Sequence, residues 1–270
     1  MNVINIEKLT RDYGGGKGIF DLSFQVNEGE VFGFLGPNGA GKTTTIRHLM
    51  GFIKPKSGKC AIQGVDCWTG RSEIQRNLGY IPGEISFFDD MTGTDYLKFV
   101  SGYRKLGKAN RTKELMDRFQ LDAKGKIKKT SKGTKQKLGI VSAFMHDPDI
   151  LILDEPTTGL DPLMQNRFIE LLAEEKKKGK TILLSSHIFE EVERTCDRVG
   201  IIRAGKLVTV DSVESLRKRH VRSYQVTLAS EELAKAFAED FGGDQEGTKV
   251  TVAAKQSLED IFMHYYGGVK

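Results

Sequence analysis

Apolar residues in this chain fall into short runs of four or five, broken by glycine, proline and charge. Val31-Phe32-Gly33-Phe34-Leu35 is one such run, and its unbroken hydrophobicity predicts a strand buried on both faces. Ile150-Leu151-Ile152-Leu153 and Thr181-Ile182-Leu183-Leu184 repeat the pattern. Shorter alternating stretches, Val3 to Leu9, Leu22 to Val26, Lys59 to Gln63 and Asn77 to Ile81, read as further strands, the last two separated by turn chemistry. Thr44 to Met50 reads as a helix stopped by Gly51. From Thr94 to His146 the texture turns helical: Asp95 to Tyr103, Arg111 to Phe119, and a third helix from Gly133 onward. Asp147-Pro148-Asp149 then turns the chain back, so the helical stretch predicts an insertion between two halves of a parallel sheet. Asp161-Pro162 opens another helix, since proline suits the first helical position. Val199 to Arg203 and Lys206 to Asp211 predict a hairpin around Ala204-Gly205, and Ser212 caps a short helix to Arg219. Composition breaks near His220-Val221-Arg222. Beyond it, Tyr224 to Leu228, Glu231 to Phe241, Lys249 to Val252 and Leu258 to Tyr266 give a β-α-β-α order, with Gly242-Gly243 as a turn.

Chemistry enters between the first buried strand and its helix. Gly36-Pro37-Asn38-Gly39-Ala40-Gly41-Lys42-Thr43 fits G-x-x-x-x-G-K-[ST], the phosphate-binding Walker A loop. Its glycines let successive backbone N–H groups curl round an anion, and the helix N-terminus adds its positive end. Lys42 would reach the β- and γ-phosphates and Thr43 would ligate Mg²⁺. A strand before, a helix after and every position filled argue against a chance glycine-rich turn. A second glycine run, Gly14-Gly15-Gly16-Lys17-Gly18, has no [ST] after its lysine and no helix following, so it reads as a hairpin loop. Tyr13 beside it either stacks on an adenine or packs at a strand end.

The run Ile150 to Leu153 delivers Asp154 and Glu155 to its C-terminal end, where open α/β sheets bind ligands. Asp154 suits the Mg²⁺ shell, and Glu155 suits a base that takes a proton from attacking water. Glu155 is not read as a helix cap, because the helix that follows is better opened by Asp161-Pro162. Thr181 to Ser186 brings His187 to the same edge as a hydrogen-bonding switch, while His48, His146, His220 and His264 read as structural. Lys124, Lys126, Lys128, Lys129, Lys132, Lys135 and Lys137 form a basic run, read either as a solvated face or as a phosphate or partner contact. No aromatic interleaving there supports nucleic-acid binding.

At 270 residues the chain can bury a large core with a small appendix. Its apolar runs are far shorter than the roughly 20 residues of a membrane helix. The start on Val3-Ile4-Asn5-Ile6 suggests no signal peptide, and Cys60, Cys67 and Cys196 lack metal spacing and read as reduced cytosolic thiols. A net charge of +5 is too mild to identify a partner.

Over roughly residues 1 to 218 the sequence resembles the ATP-binding subunit of an ATP-binding cassette (ABC) transporter. Gly36 to Thr44 and Ile150 to Glu155 carry the resemblance. So do Gly159-Leu160-Asp161, similar to the family's D-loop, and Ser185-Ser186-His187, similar to its switch histidine. The family's signature, Leu-Ser-Gly-Gly-Gln, appears as Thr130-Ser131-Lys132-Gly133-Thr134. Ser131 and Gly133 are kept, and Lys132 and Thr134 replace a glycine and the glutamine. Where the family has Pro-Gln, this chain reads Pro82-Gly83-Glu84, which offers Glu84 to the metal in place of the glutamine.

The resemblance implies an α/β P-loop NTPase of RecA-like type: a parallel or mixed sheet core with an antiparallel β subdomain and a helical insertion at about 84–146. It places an ATPase domain at 1–220 and a small α+β domain at 221–270. It implies ATP and Mg²⁺ as ligands, Tyr13 as the adenine-stacking aromatic, and Gly36, Pro37, Asn38, Gly39, Ala40, Gly41, Lys42, Thr43 and Thr44 as the nucleotide cradle. Catalysis would fall to Glu155, His187 and Lys42, with Thr43, Asp154 and Glu84 toward the metal. Ser131, Gly133 and Asp161 would complete the site across a head-to-tail dimer, most simply a homodimer.

The Pro-Gly-Glu variant, the Ser-Lys-Gly signature and the tail Ser257 to Phe262 are similar to bacterial exporter ATPases, including drug-resistance pumps and sodium extruders. That branch implies a separate integral membrane permease, a cytoplasmic, membrane-peripheral location and no nucleic-acid partner. Phe87-Phe88 reads either as core or as a socket for a permease helix. DNA- or ribosome-acting relatives would need a long coiled-coil insertion or two cassettes, and neither is present. A P-loop kinase or GTPase would not explain Ser131, Gly133, Asp161 and His187 together.

Overall fold

The computed structural model describes residues 1–88, 90–107, 110–219, 221–255 and 263. The chain forms two compact units, Met1–Val210 and Asp211–Lys270. In the first, the continuous apolar runs become the middle of a six-stranded sheet. Its order is Lys206–Ser212, Arg198–Arg203, Val31–Leu35, Thr181–Ser186, Ile150–Asp154 and Leu78–Ile81. The strands from Arg198–Arg203 to Leu78–Ile81 pair in parallel, and the three middle ones are buried at every residue, as unbroken hydrophobicity requires.

A four-stranded antiparallel sheet packs beside it, in the order Lys17–Asn27, Asn2–Gly14, Ser57–Ile62, Val65–Asp66. Phe24 joins the two layers: its ring lies 5.2 Å from those of both Phe32 and Phe34. The first strand runs to Gly14, beyond the expected Leu9, because pairing continues to Gly14 opposite Lys17. The glycine run is thus a tight hairpin end, as expected. Gly15 and Gly16, both at positive φ, make the turn.

The helical insertion carries Gly93–Tyr103, Thr112–Arg118 and Lys132–Phe144. Thr92 and Ser131 cap the first and third by accepting from the N–H groups of Asp95 and Thr134. The Lys128 ammonium of the basic run pairs with Asp90 at 3.0 Å. Two short helices escaped the hydrophobic pattern. Arg71–Asn77 buries only Ile74, so it has no period to read, and Asn77 ends that helix rather than opening a strand. Phe189–Thr195 buries Glu191, Val192 and Thr195, two of them polar.

In the second unit, the helix Val213–Arg219 follows Ser212, whose Oγ accepts from the Ser215 N–H at 3.0 Å. Strands Val221–Thr227, Lys249–Lys255 and Asp244–Glu246 form an antiparallel sheet in that order. The helix Glu231–Phe241 packs on it, capped by Ser230 and ended by Gly242 at φ 65°. Asp244–Glu246 was missed because its residues are all exposed and polar. The expected helix Leu258 to Tyr266, with the Ser257 to Phe262 tail, lies outside the described residues except for Met263.

His146 ties the end of the insertion to the sheet, its Nε2 bonding the Leu78 carbonyl at 3.1 Å. Burial, reinforced by the Arg104 guanidinium, pushes its imidazole down to about 4 from an ordinary 6.5. The unfolded chain therefore takes up a proton that the folded chain refuses. This residue's contribution is full above about pH 6.5 and is lost as the pH falls toward 4. The denaturation midpoint of wild type should fall across that window more steeply than that of His146→Gln, measured by urea titration at several pH values.

Candidate nucleotide site

Val31–Leu35 ends at Gly36, where a side chain could not fit: a Cβ would stand 2.6 Å from the Ile202 carbonyl oxygen. The loop then opens outward, with Pro37, Asn38 and Gly39 exposed and Ala40 buried. Gly39 and Gly41 adopt φ of 80° and 114°, which a residue with a Cβ avoids. Gly41 is the left-handed N-cap of the helix Lys42–Leu49, which presents Thr43 and Thr44 half-buried at its first turn. Lys42 folds back over the loop. Its Nζ donates to the carbonyls of Gly36 at 2.6 Å and Pro37 at 3.3 Å, and lies 3.0 Å from Glu155 Oε1.

Parallel register sets the opposite wall. Asp154 pairs with Ser185 and Leu35 with Ser186, so the acidic strand end, the phosphate loop and His187 emerge at one sheet edge. Asp154 is fully buried. Ser185 Oγ donates to its Oδ1, whereas Oδ2 has no partner. The backbone at Gly83 crosses that oxygen, so a Cβ there would sit 2.9 Å from it. A fully buried carboxylate oxygen without a donor is costly unless a cation meets it, and hard oxygen ligands suit Mg²⁺. The donor set of Asp154 and Thr43 therefore fits the implied metal. Glu84 points its side chain to solvent one residue further on, and among the described residues no group of three His, Cys, Asp or Glu forms a preorganised metal cluster.

Glu155 sits at φ 50°, a backbone region uncommon for a non-glycine residue and frequent at functional sites. Its N–H donates to the Ser185 carbonyl at 3.1 Å and to Ser185 Oγ at 3.2 Å, which hold that conformation. Its Oε2 meets His187 Nδ1 at 2.6 Å, and because a carboxylate only accepts, Nδ1 carries the proton. Lys42, Glu155 and His187 thus form one continuous chain of contacts.

Tyr13 is half exposed, with the Arg11 guanidinium 5.3 Å from its ring centroid. Its neighbour Asp12 pairs with Gly18, whose carbonyl abuts Gly41, so the hairpin end lies against the phosphate loop. Ser131, Gly133 and Asp161 form a separate group. Ser131 Oγ is exposed and accepts from Thr134 N at 3.1 Å, Gly133 packs on the Gly159 carbonyl, and Asp161 caps the next helix at Met164 N. Among the described residues no hydrogen bond or ion pair joins this group to Lys42 or Glu155.

Sequence reasoning missed Gln136, buried with its Nε2 2.6 Å from the Pro156 carbonyl, which fastens the signature helix to the catalytic loop. A polar residue in a lysine-rich run gives no pattern that marks it as buried. In the sequence Ser185 stands out only as part of the switch segment, whereas its hold on Asp154 follows from strand register.

The family model for ABC transporters matches residues 19–158, half of the chain. This chain belongs to the ABC transporter family. It is 39% identical to the bacitracin transport ATP-binding protein of Bacillus licheniformis across 98% of both chains. It is 35% identical to the linearmycin resistance ATP-binding protein of Bacillus subtilis, over 80% of this chain and 71% of that one. A solved ATP-binding subunit of an ABC transporter superposes with a TM-score of 0.73 at 32% identity, covering 80% of this chain and 92% of that chain. This ABC chain is accordingly a P-loop ATPase that binds and hydrolyses ATP, and subunits of its kind dimerise and work with membrane permeases. None of its described helices is long and apolar enough to cross a membrane.

Removing the cradle's cation tests the geometry directly. Lys42→Ala should weaken binding of a fluorescent ATP analogue roughly tenfold or more, the scale of lost charge-assisted hydrogen bonds. Unchanged affinity would count against the cradle.

Proposed function

We propose that this chain powers an exporter of the antibiotic-resistance type, acting as a homodimer on a separate integral membrane permease at the inner face of the cell membrane. The Lys42–Glu155–His187 contact chain at the sheet edge carries the catalytic part of this reading. The near full-length likeness to a bacitracin transport protein supports the transport part. The 270 residues carry one phosphate loop, and in this reading a second copy supplies the other cassette, with no part for nucleic acid.

In this reading Gly36 to Thr44 wrap the phosphates through backbone N–H groups, and Tyr13 stacks on the adenine. Thr43 and Asp154 would hold Mg²⁺, which would supply positive charge against the phosphates, and Glu84, on the segment that crosses Asp154, would have to turn in from solvent to join them. The γ-phosphate draws Lys42 off Glu155, leaving that carboxylate to take the proton of the attacking water. His187 keeps Glu155 oriented through Nδ1. Ser131 and Gly133 of the second copy face the γ-phosphate, with its Asp161 alongside. This explains why they stand apart from Lys42 within one chain. In the same reading residues 1–220 form the ATPase domain and residues 221–270 an accessory domain, with the helix Val213–Arg219 counted to the former although it clusters with the second compact unit.

Glu155→Gln should bind ATP yet hydrolyse it at least ~100-fold more slowly, and should accumulate as an ATP-bound dimer on a sizing column. Wild-type turnover in that variant would sink the assignment of the base. Adding Ser131→Arg to the Glu155→Gln background should abolish the dimer while monomers still bind nucleotide. Surviving dimers would mean that the signature helix faces elsewhere.

The permease contact has its own signature. Phe87 is half-buried against Tyr96, centroids 4.7 Å apart, and belongs to packing. Phe88, Phe99 and Tyr103 instead form an exposed ladder, 58%, 49% and 81% accessible, with ring spacings of 5.8 and 6.4 Å. Three exposed aromatics in contact suit a helix-binding socket rather than a solvated face. Phe88→Ala should spare basal hydrolysis and melting temperature yet reduce co-purification with the permease. Undiminished co-purification would move the socket off this ladder.

A further inference from the structure

Glu191 is a buried acid that none of the chemistry above uses. It lies on the helix Phe189–Thr195, and only 4% of its surface is accessible. Its Oε2 accepts from Ser186 Oγ at 2.8 Å and from Thr157 Oγ1 at 3.3 Å, while Oε1 is buried without a partner. Ser186 Oγ in turn accepts from the Ile188 N–H at 2.9 Å, which fixes the turn carrying His187. Thr157 stands two residues beyond Glu155, on the loop that Gln136 holds from the other side through the Pro156 carbonyl. One carboxyl therefore ties together the two segments that present Glu155 and His187.

A side chain chosen only to fill this space would be apolar, because a buried acid with an unmet oxygen costs stability. The tether brings geometric control instead. Glu155 and His187 come from different strands, and their 2.6 Å contact depends on two loops keeping register. A misplacement of an ångström in such a pair costs catalysis heavily. We propose that Glu191 is a positioning residue for ATP hydrolysis, clamping Thr157 to Ser186 so that Glu155 and His187 stay aligned. This proposal rests on the assignment of Glu155 and His187 made above.

The clamp also titrates in a useful range. Burial, partly offset by the Ser186 and Thr157 hydroxyls, pushes the Glu191 carboxyl up to about 7, and the Glu155 charge pushes the same way while His187 opposes it. The Cys196 thiol, just past its own helix, also faces it but is held neutral by burial, raised to about 12. Loss of the proton near neutrality adds negative charge beside Glu155 and makes that base stronger, so turnover should rise with pH through this region.

The test measures kcat and KM for ATP from pH 6 to 9, with melting curves, on the full chain carrying Glu191→Ala, Glu191→Gln, Thr157→Val or Glu191→Ala with Thr157→Val. Glu191→Ala should lower kcat about tenfold or more and leave KM for ATP nearly unchanged. Glu191→Gln keeps one oxygen for both hydroxyls, so it should recover most of kcat while flattening the pH profile around neutrality. Thr157→Val should lower kcat alone but add nothing to Glu191→Ala, the mark of two residues acting through one contact. A lowered melting temperature with unchanged kcat would reduce Glu191 to a structural strut and overturn the proposal. Should Glu191→Ala not fold, wild-type kcat in Thr157→Val together with an unaltered pH profile in Glu191→Gln would overturn it equally. Full turnover in Glu155→Gln would instead remove the base assignment, whereas a slow Glu155→Gln beside unaffected Glu191 variants would sink the clamp alone.

Discussion

The 3.0 Å contact between the Lys42 ammonium and Glu155 is the constraint on which the rest of the site depends. Lys42 is almost wholly buried, and a buried cation needs compensating charge as well as hydrogen-bond acceptors. The Gly36 and Pro37 carbonyls supply acceptors, and among the described residues Glu155 is the ion-pair partner that supplies a full negative charge. The Lys42 ammonium and the Glu155 carboxylate thus neutralise each other. On the roles proposed above, a nucleotide would compete for Lys42, so that arrival of substrate and release of the base would be one event.

The same logic explains the division of the site into two groups. Ser131, Gly133 and Asp161 gather around Gly159, while Lys42, Asp154, Glu155 and His187 gather at the sheet edge. Yet the groups are not mechanically independent. Gln136 on the signature helix holds Pro156, which follows Glu155, and Glu191 holds Thr157 from the other side. The loop between the base and the D-loop is gripped from the helical insertion and from the switch segment at once. A rotation of the insertion would reach the loop after Glu155 through this buried hydrogen bond and through the Gly133–Gly159 contact.

Much of this was readable in the sequence because parallel-sheet strands leave an unmistakable trace. Ile150 to Leu153 is apolar at every position, so the acids that follow had to lie at its end, and register then placed His187 beside them. What the sequence hid was whatever depends on polar groups being buried. The helix Phe189–Thr195 turns Glu191 and Thr195 inward, a face that no hydrophobic period marks. Gln136 sits among lysines and Arg71–Asn77 buries one residue, so neither stands out. Phe87 and Phe88 are chemically identical neighbours, and only the positions of Tyr96 and Phe99 decide which is packed and which is exposed.

The site also gathers several local costs at one sheet edge. Glu155 is held at positive φ, Asp154 Oδ2 is buried without a donor, and Glu191 Oε1 is buried without one. Strained backbone and unmet buried oxygens each cost on the order of 1–3 kcal/mol. The fully buried strands Val31–Leu35, Ile150–Asp154 and Thr181–Ser186 are what let the chain tolerate them at one edge. A cation at Asp154 would satisfy a buried oxygen that the chain's own donors leave unmatched, and phosphate oxygens would add to the charge around Lys42. Ligand binding should therefore stabilise this edge well beyond the contacts it adds elsewhere, since anything that binds the folded state alone shifts the folding equilibrium toward it.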